Sequence, residues 1–188
     1  MFLQDWANNI KSRFVYDPTI KAFDNLFFKK VSGTGTVVSG DIRLNAAIIA
    51  SYSQYTYGEF EFLVKVLAAP TAADARYWGL RNTATLRGAL FFDITDDVFS
   101  FKTYDNDANL TSTTISWNQA GQTWNGSFIS FKIVWNEEDI KAYVGGVLMA
   151  THKAGDHSLP LALKLANSNS DNMDIDYIML SKIGTFVG

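Results

Sequence analysis

Between residues 128 and 151 apolar and polar side chains alternate with period two. Ile129, Phe131, Ile133 and Trp135 fall on one face, and Ser130, Lys132 and Val134 on the other, the pattern of a strand with one buried side. Asn136, Glu137, Glu138 and Asp139 then form a polar turn, and residues 140–144 run back. Gly145-Gly146 follows, a pair able to take the two positive φ angles of a type I′ hairpin. Residues 147–151 close a three-stranded antiparallel meander.

The same alternation recurs along the chain. Within residues 51–66, Phe60, Phe62, Val64 and Val66 oppose Glu59, Glu61 and Lys65, which predicts one long strand. Further strands are predicted over 75–81, 86–94, 98–104, 161–165 and 173–183, with a short one around 113–117 inside a polar loop spanning 105–126. Many strands at regular spacing favour an all-β sandwich over a parallel fold. One stretch breaks the rule. Phe2, Leu3, Trp6, Ile10 and Phe14 recur at helical spacing, with Asp5 early and Lys11 and Arg13 late, as a helix dipole favours. The division expected is an N-terminal amphipathic helix or arm over 1–16 and a sandwich domain over 17–188. The apolar stripe of that helix packs on its own domain or docks into a neighbouring subunit.

Several segments carry a resemblance. Trp135 with its acidic turn, then Ile140, Lys141, Tyr143, Val144, Gly146 and Leu148, follows the order of motifs in the concanavalin A-like lectin/glucanase superfamily. So do Gly40-Asp41-Ile42-Arg43-Leu44, Tyr57-Gly58-Glu59-Phe60-Glu61 and the closing Asp174-Ile175-Asp176-Tyr177-Ile178. The chain most resembles glycoside hydrolase family 16, the laminarinases and lichenases. The resemblance implies a two-sheet antiparallel jelly roll whose concave face binds sugar. It also implies a catalytic strand reading Glu-x-Asp-x-Glu, because alternate residues share a face and a retaining glycosidase needs two carboxylates about 5 Å apart. The matching strand, 86–94, keeps Asp93 alone, so glycosidase activity of that kind is not expected. A structural Ca²⁺ is implied as well, with Asp176 as side-chain ligand and Gly40 and a carbonyl near Asp24 completing an oxygen set that suits a hard cation.

Composition narrows the remaining choices. The 188 residues fit one domain able to bury a core between two sheets, and the net charge of −3 argues against nucleic acid. Cysteine is absent, which removes disulfides and thiolate metal sites. No apolar run is long enough to span a bilayer and no signal-peptide pattern opens the sequence, so a product made in the cytoplasm is expected. Asn-x-Ser/Thr triplets at Asn109 and Asn125 matter only in a secretory setting.

Nucleophile chemistry lacks its parts: there is no Gly-x-Ser-x-Gly, and the histidines are His152 and His157. Those two with Asp156 make a weak transition-metal candidate, outweighed by a solvated turn. Glu59 and Glu61 share a strand face, where pairing with lysines such as Lys132 or Lys141 is the expected role. Sugar recognition needs flat aromatic surfaces and planar polar groups. Tyr77 and Arg81 share one strand face, Lys102 and Tyr104 another, and Trp124 lies in the polar loop. The reading that results is a non-catalytic, lectin-like module that binds glycan or mediates attachment. It would work as a homo-oligomer or as a subunit of a phage or viral particle, docked through its N-terminal helix. A coat component without sugar binding and a diverged glycosidase or polysaccharide lyase are the alternatives.

Overall fold

A computed structural model describes residues 14–16, 28–66, 75–82, 85–95, 98–115, 127–168, 173–181 and 185–187. Among them every regular element is a strand. In chain order these are β1 (Phe14–Tyr16), β2 (Phe28–Val38), β3 (Asp41–Thr56), β4 (Gly58–Val66), β5 (Ala75–Arg81), β6 (Leu90–Thr95) and β7 (Val98–Tyr104), then β8 (Leu110–Thr114), β9 (Ile129–Trp135), β10 (Asp139–Val144), β11 (Val147–Lys153), β12 (Leu161–Asn167), β13 (Met173–Ser181) and β14 (Thr185–Val187). All pairings are antiparallel, in the order β11-β10-β9-β4-β13-β3-β12-β5-β6-β7-β8.

Strand β3 turns this path into two layers. Its first residues, Ile42–Leu44, pair with Ile175–Met173 of β13, whereas Ala47–Tyr55 pair with β12. One sheet therefore runs from β11 to β13 and the other from β12 to β8, with β3 serving both. They face each other across a shared core: the ring of Phe131 in β9 lies 4.7 Å from Trp78 of β5 and 5.2 Å from Phe92 of β6. The alternation predicted for β4 and β9 is what feeds this core, since every second residue of each strand is buried.

The meander forms as read. Gly145 and Gly146 take φ of 56° and 82°, and the Asn136 side chain accepts the backbone N–H of Glu138 and Asp139 to close the acidic turn. Elsewhere tertiary structure redraws the elements. The single strand predicted over 51–66 is broken at Tyr57 (φ 59°) and Gly58 (φ 136°), where the chain leaves the second sheet and enters the first. The Tyr57 ring packs on Trp135 at 5.2 Å, so alternation continues through the corner and hides it. The strand predicted from residue 86 begins at Leu90, and the one predicted around 113–117 is Leu110–Thr114. The last predicted strand ends at Ser181, and β14 returns to pair with β3.

At the N-terminus the helical stripe loses its last member. Phe14 lies in β1, opposite Leu180 of β13. Beyond Ile175 β3 no longer pairs with β13, and β1 supplies partners along Ile178–Leu180 instead, because open backbone edges demand them. The rest of the predicted helix, residues 1–13, lies outside the described residues. A second local device sits in β2: a Cβ on Gly33 would stand 1.9 Å from the Ala46 carbonyl oxygen, and Gly33 and Ala46 both have positive φ. Only glycine lets the two strands meet there.

Candidate functional site

The second sheet has one face in the core and one turned away from it. Trp78, Leu80, Leu90, Phe92, Ile94, Phe99 and Phe101 belong to the core cluster. By alternation Tyr77, Gly79 and Arg81 of β5, Phe91 and Asp93 of β6, and Ser100, Lys102 and Tyr104 of β7 point the other way. Register lines them up in rows. Tyr77 stands opposite Asp93 and Asp93 opposite Ser100, while Gly79 stands opposite Phe91 and Phe91 opposite Lys102. Four of the five residues singled out for sugar binding, Tyr77, Arg81, Lys102 and Tyr104, are thus brought to one face. The fifth, Trp124, lies outside the described residues.

Aromatic contacts organise this face. Phe91 stacks on Tyr104, with ring centroids 6.1 Å apart and planes 8° from parallel, and meets Tyr77 at 5.7 Å. The Arg81 guanidinium carbon lies 4.4 Å from the Tyr77 ring centroid and 5.1 Å from that of Phe91, within cation–π range. Gly79 makes this possible. A Cβ there would approach the Leu90 carbonyl oxygen to 2.4 Å and Phe91 Cα to 2.6 Å, so the bare position lets β6 come close and lets Arg81 reach over it to Tyr77. Burial pushes the Tyr77 phenol above its ordinary pKa, with Arg81 partly offsetting.

Asp93 is anchored rather than free. Its Oδ2 accepts Lys102 Nζ at 2.6 Å and Thr95 Oγ1 at 3.0 Å, and the residue is only 6% exposed. Sequence reasoning named Asp93 and Lys102 separately but missed their pairing, and it missed Phe91 as the hub of the aromatic contacts. The signal was present: counting by twos from Asp93 along β6 reaches Phe91.

The candidate metal ligands meet a different environment. Asp174 is fully buried and bound by Arg43 through two hydrogen bonds, Nε to Oδ1 at 2.7 Å and Nη2 to Oδ2 at 2.9 Å, with Lys65 Nζ 3.4 Å away. Asp176 is the extra residue where β13 slips register against β4. Gly40 sits in the β2–β3 turn at φ 93°. Asp41 is raised above its ordinary pKa by burial and then by the charges of Asp176 and Asp174, Lys65 and Arg43 opposing. With Asp174 committed to Arg43 and Lys65, Asp176 is the carboxylate of β13 left without a cation partner among the described residues. Asp24 lies outside the described residues, and among those described no three His, Asp or Glu side chains cluster as a metal cage.

The histidines are engaged otherwise. His152 of β11 bridges the two sheets, with Nδ1 2.9 Å from Thr103 Oγ1 and Nε2 2.9 Å from Thr113 Oγ1. His157 Nδ1 donates to the Ala154 carbonyl. Both rings are buried, so the solvated turn expected for them, in preference to a metal site with Asp156, is not what forms. Glu59 pairs with Lys132 at 2.6 Å, and Glu61 accepts Ser130 Oγ at 2.7 Å and Tyr177 Oη at 3.1 Å. These carboxylates line a shallow groove of about 470 Å³ on the outer side of the first sheet, each held by its own partners.

No family model and no curated protein matches the sequence. Solved structures do match the fold. Bacillus licheniformis β-glucanase superposes with a TM-score of 0.71 at 14% identity, covering 91% of this chain and 98% of its own. The laminarinase catalytic domain of Thermotoga maritima gives 0.69 at 12% identity, with 91% and 98% covered. A Bacteroides ovatus glycoside hydrolase family 16 enzyme, solved with a G4G4G3G product, gives 0.68 at 12%, with 89% and 99% covered. The architecture is therefore the concanavalin A-like sandwich that these glucanases use. At such identities the likeness is one of fold.

Proposed function

We propose that this protein is a non-catalytic carbohydrate-binding module whose binding face is the outer side of the second sheet. The observation that carries the reading is the content of β6. Where a retaining glycosidase presents two carboxylates about 5 Å apart, β6 turns outward Phe91 and one carboxylate, Asp93, held by Lys102 at 2.6 Å. A carboxylate so engaged is not poised as a nucleophile, and no second one stands beside it on that strand. What the face offers instead is aromatic surface from Tyr77 and Tyr104, the planar guanidinium of Arg81 and the ammonium of Lys102, the chemistry that receives a sugar ring and its hydroxyls. Similar folds include enzymes solved with saccharide products. Affinity electrophoresis in gels containing a series of polysaccharides tests this: retardation that Tyr104→Ala and Tyr77→Ala weaken supports it, and free migration in every gel refutes it.

The setting we propose is an attachment subunit of a homo-oligomer or of a phage or viral particle. Its support is the apolar stripe of Phe2, Leu3, Trp6 and Ile10 ahead of the sandwich and a core built without cysteine. A structural Ca²⁺ held by Asp176 with Gly40 and a carbonyl near Asp24 belongs to the same proposal, supported by the resemblance of the closing strand Asp174-Ile175-Asp176-Tyr177.

A further inference from the structure

We propose that the outer face of the second sheet selects acidic saccharides, with Arg81 as the receptor for a sugar carboxylate or sulfate ester. The inference rests on the glycan reading above and adds the class of ligand. Its basis is an imbalance of partners. Lys102 and Asp93 neutralise each other at 2.6 Å, whereas Arg81 has no carboxylate partner among the described residues. Its guanidinium is satisfied only on its flat side, over the Tyr77 and Phe91 rings. A cation–π contact uses that face and leaves the N–H donors, which lie in the guanidinium plane, still to be met. Arg81 Nε is in fact buried without a hydrogen-bond acceptor.

A buried donor left unmet costs free energy, and a charged one costs more. That Nε is shut away from any ligand, whereas the terminal Nη donors are not among the buried unmet atoms and are the ones a ligand oxygen can reach. Two features point to an anion rather than a neutral hydroxyl. The edge of a guanidinium presents two parallel N–H groups whose spacing matches the paired oxygens of a carboxylate or sulfate. The charge of Arg81 is also uncompensated on a face where the neighbouring ion pair sums to zero, so an anionic ligand finds complementary potential there although the whole chain carries −3. Stacking on two rings, with Gly79 leaving the path clear, fixes the fork before the ligand arrives. That lowers the ordering cost of binding.

The test uses the full chain in affinity electrophoresis and calorimetry at near-physiological salt. The probes are polygalacturonate and alginate for the carboxylate, a sulfated galactan for the sulfate ester, carboxyl-reduced polygalacturonate, and the neutral glucans lichenan and laminarin. The expected result is binding to at least one charged class that exceeds the neutral polymers by about tenfold or more, with the carboxylate and sulfate arms identifying the anion. Arg81→Gln should lose that margin. Arg81→Lys, which keeps the charge but not the fork, should fall between, and circular dichroism of both variants verifies the fold. Equal affinity for polygalacturonate and its carboxyl-reduced form with no gain on the sulfated polymer, or unchanged binding in both Arg81 variants, overturns the acidic selectivity and leaves glycan binding standing. Failure to bind any polymer overturns both.

Discussion

Lys102 Nζ of β7 stands 2.6 Å from Asp93 Oδ2 of β6, the strand that the family resemblance matches to the Glu-x-Asp-x-Glu motif. One engaged carboxylate cannot serve as both nucleophile and proton donor. No reducing sugar should therefore be released from β-1,3 or β-1,4 glucans, and Asp93→Asn should leave that baseline where it was. The same substitution removes a charge-assisted hydrogen bond at a site only 6% exposed, so urea denaturation should show a loss of about 2 kcal/mol. Sugar release that Asp93→Asn abolishes would count decisively against a non-catalytic role.

His152 is held below its ordinary pKa, first by burial and then by the charge of His157. Its folded form resists protonation while the unfolded chain titrates near about 6.5. Between the two values the unfolded state binds more protons, so stability is complete above roughly pH 6.5 and declines as pH falls below it. Denaturation midpoints taken at pH 7.5, 6.5 and 5.5, above the carboxylate range, should decrease in that order. His152→Gln should flatten the slope; an equally steep dependence in the variant would place its origin elsewhere.

Calcium should raise the melting temperature by several degrees, since a ligand bound only by the folded state contributes about 2.7 kcal/mol at a hundredfold excess over its Kd. Asp176→Ala should abolish the increase. Identical melting in calcium and in chelator would eliminate the site.

Removing residues 1–13 while keeping β1 should leave a folded sandwich of lower oligomeric state, read by light scattering. Phe2, Leu3, Trp6 and Ile10 would each contribute roughly 1.5–3 kcal/mol when buried, enough together to hold subunits. The cut spares Phe14 because Phe14–Tyr16 pair with Ile178–Leu180, and losing them would expose the edge of β13. A truncated chain that retains the full assembly would assign the stripe to the protomer itself.

Gly79→Ala should cost stability and glycan binding together, because its Cβ would meet β6 backbone at 2.4 Å and 2.6 Å. A well-folded variant with Arg81 still over Tyr77 would contradict the close approach.

What the sequence determined alone is whatever depends on neighbours along the chain. Period-two alternation specified β4, β5, β7 and β9 and the faces of their side chains, and Gly145-Gly146 announced its hairpin, because strand direction and turn chemistry are local properties. The absence of a second carboxylate beside Asp93 was equally legible. Tertiary structure decided the rest. Tyr57-Gly58 became a corner between sheets because β4 finds its partners in β13 and β9, a choice no local pattern records. Phe14 became a strand residue because β13 had an edge to fill. Lys102 found Asp93, Arg81 found Tyr77 and Phe91, and His152 found two threonines of the opposite sheet, since contacts across strands depend on register and layer stacking. The candidate site is made of such contacts: its residue types could be read in order, while their pairing existed only once the sheets had closed.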